Sequence, residues 1–128
     1  MRYLLDTHAL LWIANEDAKL SETAKSLFLD ENNAMLCSLA SIWELAIKIS
    51  IGKISLDEPL ESFIDHHVSG NDIDILPIQK QHILPLQSLP FHHKDPFDRL
   101  IIAQAMVEKI PIISKDLWFD SYPVHRVW

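Results

Sequence analysis

The chain has 128 residues, 48% of them hydrophobic and 23% charged, the balance of a globular protein with a sizeable apolar core. A net charge of -7 excludes broad adhesion to nucleic acid through a basic surface, but not a nucleic-acid enzyme whose surplus carboxylates bind cations. Two glycines leave no Gly-rich phosphate loop, and the single cysteine, Cys37, cannot form an internal disulfide and fits a reducing compartment, most simply the cytosol.

"RYLLDT" (2–7) is a short β-prone run ending in an acid, and "HALLWIAN" (8–15) continues at helical spacing. Asp6 and His8 interrupt what a secretion signal would need as continuous apolar sequence. No run approaches the ~18 apolar residues of a membrane-spanning helix, so the expectation is a soluble, cytoplasmic chain. Ser21 is placed to cap a second helix, with Ala24, Leu27 and Phe28 on one face and Asn32–Asn33 as its stop. "AMLCS" (34–38) has the length and apolarity of a buried strand.

"SIWELAIKISIG" (41–52) reads as a helix with Ile42, Leu45 and Ile49 inward, Trp43 and Ala46 beside them, and Gly52 as the stop. Ser41-x-x-Glu44 matches a capping box, and Glu44 with Lys48 forms a favourably oriented i,i+4 pair. Pro59 opens a helix through "LESFIDHHVS" that Gly70 closes, and "IDILPI" (73–78) is a third strand. Pro85 and Pro90 limit any helix in "QKQHILPLQSLPFHH" to a short piece. Pro96 to Lys109 is a helix, "PIIS" (111–114) a fourth strand, "KDLWFDSY" (115–122) a loop or short helix, and "VHRVW" (124–128) a last strand.

Strands alternating with helices predict one α/β domain over residues 1–128, with a mainly parallel sheet of four to five strands covered by helices on either side. Ligands of such sheets bind beyond the carboxyl ends of the strands. That is where Asp6, Glu44, Asp98 and Asp116 fall. Each has an ordinary reading alone: Asp6 and Asp116 as caps or turn residues, Glu44 as the capping-box acid, Asp98 as a favourable charge at a helix start. Together they form a carboxylate cluster on one sheet edge. Such crowding raises carboxyl pKa values and costs stability unless a cation neutralises it. All-oxygen donors select a hard divalent ion, Mg²⁺ or Mn²⁺.

At this point the sequence resembles a known family. "LLDTHALLW", "SIWELAIKISIGK", "HHKDPFDRLIIAQA" and "IISKD…F" look like the successive blocks of the PIN-domain nucleases, most nearly the VapC-type toxins of bacterial toxin–antitoxin pairs, over nearly the whole chain. The resemblance implies a three-layer α/β/α fold and a metal-dependent ribonuclease, with RNA as substrate, a cognate antitoxin as partner and a homodimeric state. It also implies that the acidic quartet falls on Asp6, Glu44, Asp98 and Asp116, that Thr7 supplies the hydroxyl beside Asp6, and that Ser114 stands where many relatives carry Thr. Asp95 is better explained as the cap of the helix opened by Pro96.

Two other readings compete with this one. A phospho-accepting, receiver-like signalling domain also gathers acids on a doubly wound sheet, but it needs an acid at the end of its middle strand, and Asp74 lies near the start of "IDILPI". A catalytically silent PIN-like interaction module would not require all four acids. The pairs His66–His67 and His92–His93 lack the partner spacing of a zinc site. Trp12 and Trp43 read as packing residues, and Lys48, Arg99 and Lys115 as solvated helix positions close to the acids.

Overall fold

The structure, a computed structural model describing residues 1–128, is organised around a five-stranded sheet. Its strands are β1 (Arg2–Leu5), β2 (Ala34–Ser38), β3 (Ile73–Leu76), β4 (Ile112–Ile113) and β5 (Arg126–Val127), in the order β3-β2-β1-β4-β5. Every pairing is parallel. The helices are α1 (Thr7–Ala14), α2 (Glu22–Leu29), α3 (Leu39–Ser50), α4 (Leu60–Phe63), α5 (Lys80–Ile83) and α6 (Pro96–Glu108). The three-layer α/β/α sandwich expected from the sequence is the architecture found.

The period-two alternation of the strands sorts the core into two halves. Tyr3, Leu5, Met35, Cys37 and Ile113 face one way and pack with Leu10 and Ile13 of α1, Ala24 of α2, Leu45 of α3 and Phe63 of α4. Leu4, Leu36 and Ile112 face the other way and pack with Ile101, Ile102 and Ala105 of α6 and with Phe119. Strand residues buried on both faces read as continuous apolar runs, which is why "RYLL" and "AMLCS" are legible in the sequence. β3 lies at the sheet edge and departs from that pattern, since Asp74 and Ile75 are exposed. A polar link through two buried side chains crosses the second half: the Ser38 hydroxyl donates to Gln104 Oε1, and Gln104 Nε2 donates to the Pro77 carbonyl at 3.3 Å.

Several boundaries differ from the sequence reading. β1 stops at Leu5, because Asp6 is the N-cap of α1 and accepts the Ala9 N–H at 2.7 Å. α3 begins at Leu39 rather than Ser41. Ser38 is its cap, accepting from Ala40 N, so Ser41 and Glu44 lie inside the helix and form no capping box. Trp43 and Ala46 of α3 face outward: Trp43 is 55% exposed, meeting Phe97 edge-on at 4.9 Å, and Ala46 is exposed.

The helix opened by Pro59 loosens into a π turn (Ile64–Val68) and a 3₁₀ turn (Ser69–Asn71), and the left-handed residue that ends it is Asp72 (φ 55°), not Gly70. α6 ends at Glu108 with Lys109 left-handed (φ 56°), in the position that usually favours glycine. Gly52, with φ 76°, does fill that role just beyond α3. The stretch after β3, where Pro85 and Pro90 limit helix length, folds as the short α5 and a 3₁₀ turn (Leu84–Gln87). No helix of the structure is long and apolar enough to cross a membrane.

Candidate acidic site at the sheet edge

The order of the sheet reverses between β1 and β4, and the segments leaving these two strands diverge there to open a crevice at their carboxyl ends. Asp6 leaves β1 on one side of this point, and Ser114 and Asp116 leave β4 on the other. Ser114 Oγ donates to Asp6 Oδ2 at 2.5 Å and accepts the Asp116 N–H at 3.0 Å, so one buried hydroxyl joins the two acids. Asp116 caps the 3₁₀ turn Leu117–Ser121 by accepting from Trp118 N at 3.0 Å. The expected roles of Asp6 and Asp116 as caps are therefore met, without removing either from the crevice.

The next strand in the order, β2, brings in α3. Glu44 lies two turns into that helix and is buried. Thr7 Oγ1 donates to Glu44 Oε1 at 2.7 Å and lies 2.9 Å from the Ser41 hydroxyl. The other Glu44 oxygen accepts from Lys48 Nζ at 2.6 Å, and this hydrogen bond raises the Lys48 pKa. Lys48 is thus the partner of an acid rather than a freely solvated lysine.

Asp98 enters from α6. Asp95 caps that helix through the N–H groups of Phe97 and Asp98, at 2.9 and 3.0 Å, and Pro96 occupies the first turn. Asp98 is only partly buried, yet its carboxyl is pushed up to about 8. Loss of hydration is the largest cause, followed by the like charges of Asp95, Asp6, Glu44 and Asp116. Burial raises Asp6 as well, against the opposing hydrogen bonds from Ser114 and Ala9. Four chain segments therefore converge on one negatively charged crevice, with Asp95 at its margin.

His93 is a member that the sequence reading passed over. Its Nε2 lies 2.8 Å from Asp116 Oδ2 and 3.1 Å from Asp98 Oδ2. The three side chains bring one donor atom each within 4.8 Å of one another, close enough for a shared metal ion. Treating His92–His93 as a pair hid this, because only His93 turns inward. Its spacing to Asp95 and Asp98 in "HHKDPFD" was the available signal.

Arg99 also departs from expectation. It is buried, its guanidinium donates to the carbonyls of Leu89 (3.0 Å) and Pro90 (2.8 Å), and it lies 3.9 Å from the Phe91 ring centroid. It fastens the loop before α6 and is not free to meet phosphate. Exposed Lys115 approaches the Trp12 ring at 6.0 Å, and Trp12 in turn meets Trp128 at a tilt of 59°, ring centres 5.6 Å apart. His66 and His67 pair with Glu58, remote in sequence from all four acids, and show no zinc arrangement.

The donor set suits a hard divalent cation. Its groups are mainly carboxylate oxygens, and Asp98 faces more negative charge than its neighbours neutralise. The receiver-like alternative is not met: β3, which carries exposed Asp74 near its start, is an edge strand, and the order 3-2-1-4-5 differs from the 2-1-3-4-5 of that class.

Comparison with known proteins agrees with this architecture. The family model described as PIN domain matches residues 3–124, and the chain belongs to that family. The fold is similar to VapBC2 from Rickettsia felis, solved bound to a DNA fragment from their promoter, with a TM-score of 0.75 and 19% identity over 99% of this chain and 98% of that one. It is also similar to VapBC-1 from nontypeable Haemophilus influenzae, with a TM-score of 0.67 and 18% identity over 99% and 97% of the two chains. No curated protein sequence matches the chain.

Proposed function

We propose that the chain is a divalent-metal-dependent endoribonuclease and the toxin of a VapC-type toxin–antitoxin pair, acting in the cytoplasm as a homodimer. The observation that carries this reading is the elevated carboxyl of Asp98, crowded by Asp95, Asp6, Glu44 and Asp116 in one crevice. Membership of the PIN domain family and the likeness in fold to the VapBC structures support it.

In this reading Asp6 and Asp98 hold Mg²⁺ or Mn²⁺ directly, while Glu44 and Asp116 act directly or through water. Bound there, the ion supplies Lewis-acid polarisation of a phosphoryl oxygen and a nucleophilic water at neutral pH. Ser114 opposes the burial that raises Asp6 and holds its carboxyl inward by donating to Oδ2. Thr7 donates to one oxygen of Glu44 and fixes its rotamer, while Lys48 on the other oxygen offsets part of its charge. Asp98 carries a proton in the unliganded crevice near neutrality and releases it when the cation is taken up. RNA cleavage leaves 5′-phosphate and 3′-hydroxyl ends, and an antitoxin side chain of positive charge fits the same acidic crevice.

The test is cleavage of RNA by the wild-type chain with Mg²⁺, by the wild-type chain with EDTA, and by Asp98→Asn with Mg²⁺. Cleavage in the first alone is expected, and equal cleavage in all three would overturn the reading. Tight metal binding without hydrolysis of any RNA would instead indicate a silent interaction module.

A further inference from the structure

We propose that His93 is a positioning residue that holds Asp116 through its Nε2 hydrogen and sets it beside Asp98 for a shared cation, without ligating that cation. The inference rests on the metal-dependent reading above.

The argument starts from the other ring nitrogen. Nδ1 of His93 accepts the backbone N–H of Asp95 at 3.2 Å. An amide N–H is only a donor, so Nδ1 has no hydrogen and the neutral ring carries its hydrogen on Nε2. That nitrogen donates to Asp116 Oδ2 at 2.8 Å and lies 3.1 Å from Asp98 Oδ2. A histidine that binds metal through one nitrogen ordinarily donates from the other to a carboxylate, a carbonyl or water. Here the second nitrogen meets a donor. The polarity is that of a clamp, not a ligand.

The ring has little freedom to reverse this arrangement. The His93 N–H donates to the Tyr122 hydroxyl at 2.8 Å, which in turn donates to the Pro90 carbonyl at 2.6 Å. Arg99 grips the carbonyls of Leu89 and Pro90, and the imidazole leans on buried Phe119 with ring centres 5.6 Å apart. Asp95, whose N–H sets the tautomer, is itself fixed as the cap of α6. The loop from Leu89 to Asp95 is therefore a mount for one imidazole. Asp98 comes from α6 and Asp116 from the segment after β4, and the His93 ring lies against both.

The first measurement is the imidazole ¹⁵N spectrum of the full chain, with and without Mg²⁺. His93 is expected to keep its hydrogen on Nε2 in both states, and transfer of that hydrogen to Nδ1 on adding Mg²⁺ would show a ligand and overturn the proposal. The second is Mg²⁺ affinity by calorimetry. His93→Phe keeps the ring outline and loses the donor, so it is expected to bind Mg²⁺ about 10- to 100-fold more weakly, the usual effect of removing an outer partner. His93→Gln, which restores an N–H at similar reach, should stay within a few-fold of the wild-type chain. Equal affinity of both variants with the wild type would overturn the clamp, as would equal weakening of both when each melts as the wild type does. Asp98→Asn separates the two levels: if it binds Mg²⁺ as tightly as the wild type, or if the wild type binds none, the metal reading itself fails.

Discussion

Ser114 and Asp6 are 108 positions apart in the chain, yet the hydroxyl of one lies 2.5 Å from a carboxylate oxygen of the other. The parallel pairing of β1 with β4, Leu5 opposite Ile113, brings them together at the switch point. This contact opposes the burial that raises Asp6.

Ser114→Ala removes a hydrogen bond to a charged group, worth about 1.5–3 kcal/mol. A fall in Mg²⁺ affinity of roughly 10- to 100-fold is the expected result by calorimetry, while Ser114→Thr should retain most of the affinity. Alanine and threonine behaving alike would show that the hydroxyl does not support Asp6.

The Asp98 carboxyl gives stability a definite pH dependence in EDTA. Its folded value, about 8, lies above the ordinary carboxylate value of about 4. Between those values the folded chain holds more protons than the unfolded one, so stability falls as pH rises through that window. Burial of Asp6 acts with the same sign. Melting temperature in EDTA should decline from about pH 5 to about pH 8, with Mg²⁺ restoring it and Asp98→Asn flattening it. A flat profile for the wild-type chain in EDTA would contradict the crowding.

Lys48 predicts an effect opposite to that of the acids. Its ammonium sits on Glu44 and raises the positive charge near Asp95 and Asp98. Lys48→Met should tighten Mg²⁺ binding about two- to fivefold, the scale of a partly screened charge, and leave stability in saturating Mg²⁺ little changed. A weaker binding of Mg²⁺ would mean that the lysine chiefly holds Glu44 in position.

Arg99 is the mount's fastening, and its loss should be felt as stability. Arg99→Ala abandons the buried Leu89 carbonyl and the Phe91 contact and leaves the Pro90 carbonyl to Tyr122 alone, at a cost of about 2–3 kcal/mol by urea unfolding. Lysine cannot reproduce the planar fork, so Arg99→Lys should recover under half of that loss, roughly. Full recovery would reduce the role of Arg99 to charge alone.

Much of this arrangement is legible in the sequence because local and global signals coincide. Asp95 and Pro96 mark the start of α6, Asp98 follows one turn later, and the apolar runs of β1, β2 and β4 give the strands whose ends gather the acids. What escapes has identifiable causes. Ser38 and Ser41 are both residues of capping type, and only the backbone decides that Ser38 starts the helix. Trp43 sits on a helix rich in aliphatics, but the turn that faces it to Phe97 depends on where that helix begins. Arg99 and His93 owe their places to carbonyls and hydroxyls in loops and a 3₁₀ turn, which carry no periodicity. The segment after α4 passes into a π turn over Ile64–Val68, before Gly70 is reached, and no sequence signal marks it.

The long separation of Ser114 from Asp6 also sets an order of events during synthesis. A ribosome releases Asp6 early and Asp116 only after more than a hundred further residues, so a growing polypeptide lacks its full set of acids for most of its translation. The crevice is therefore incomplete until β4 has emerged and docked beside β1.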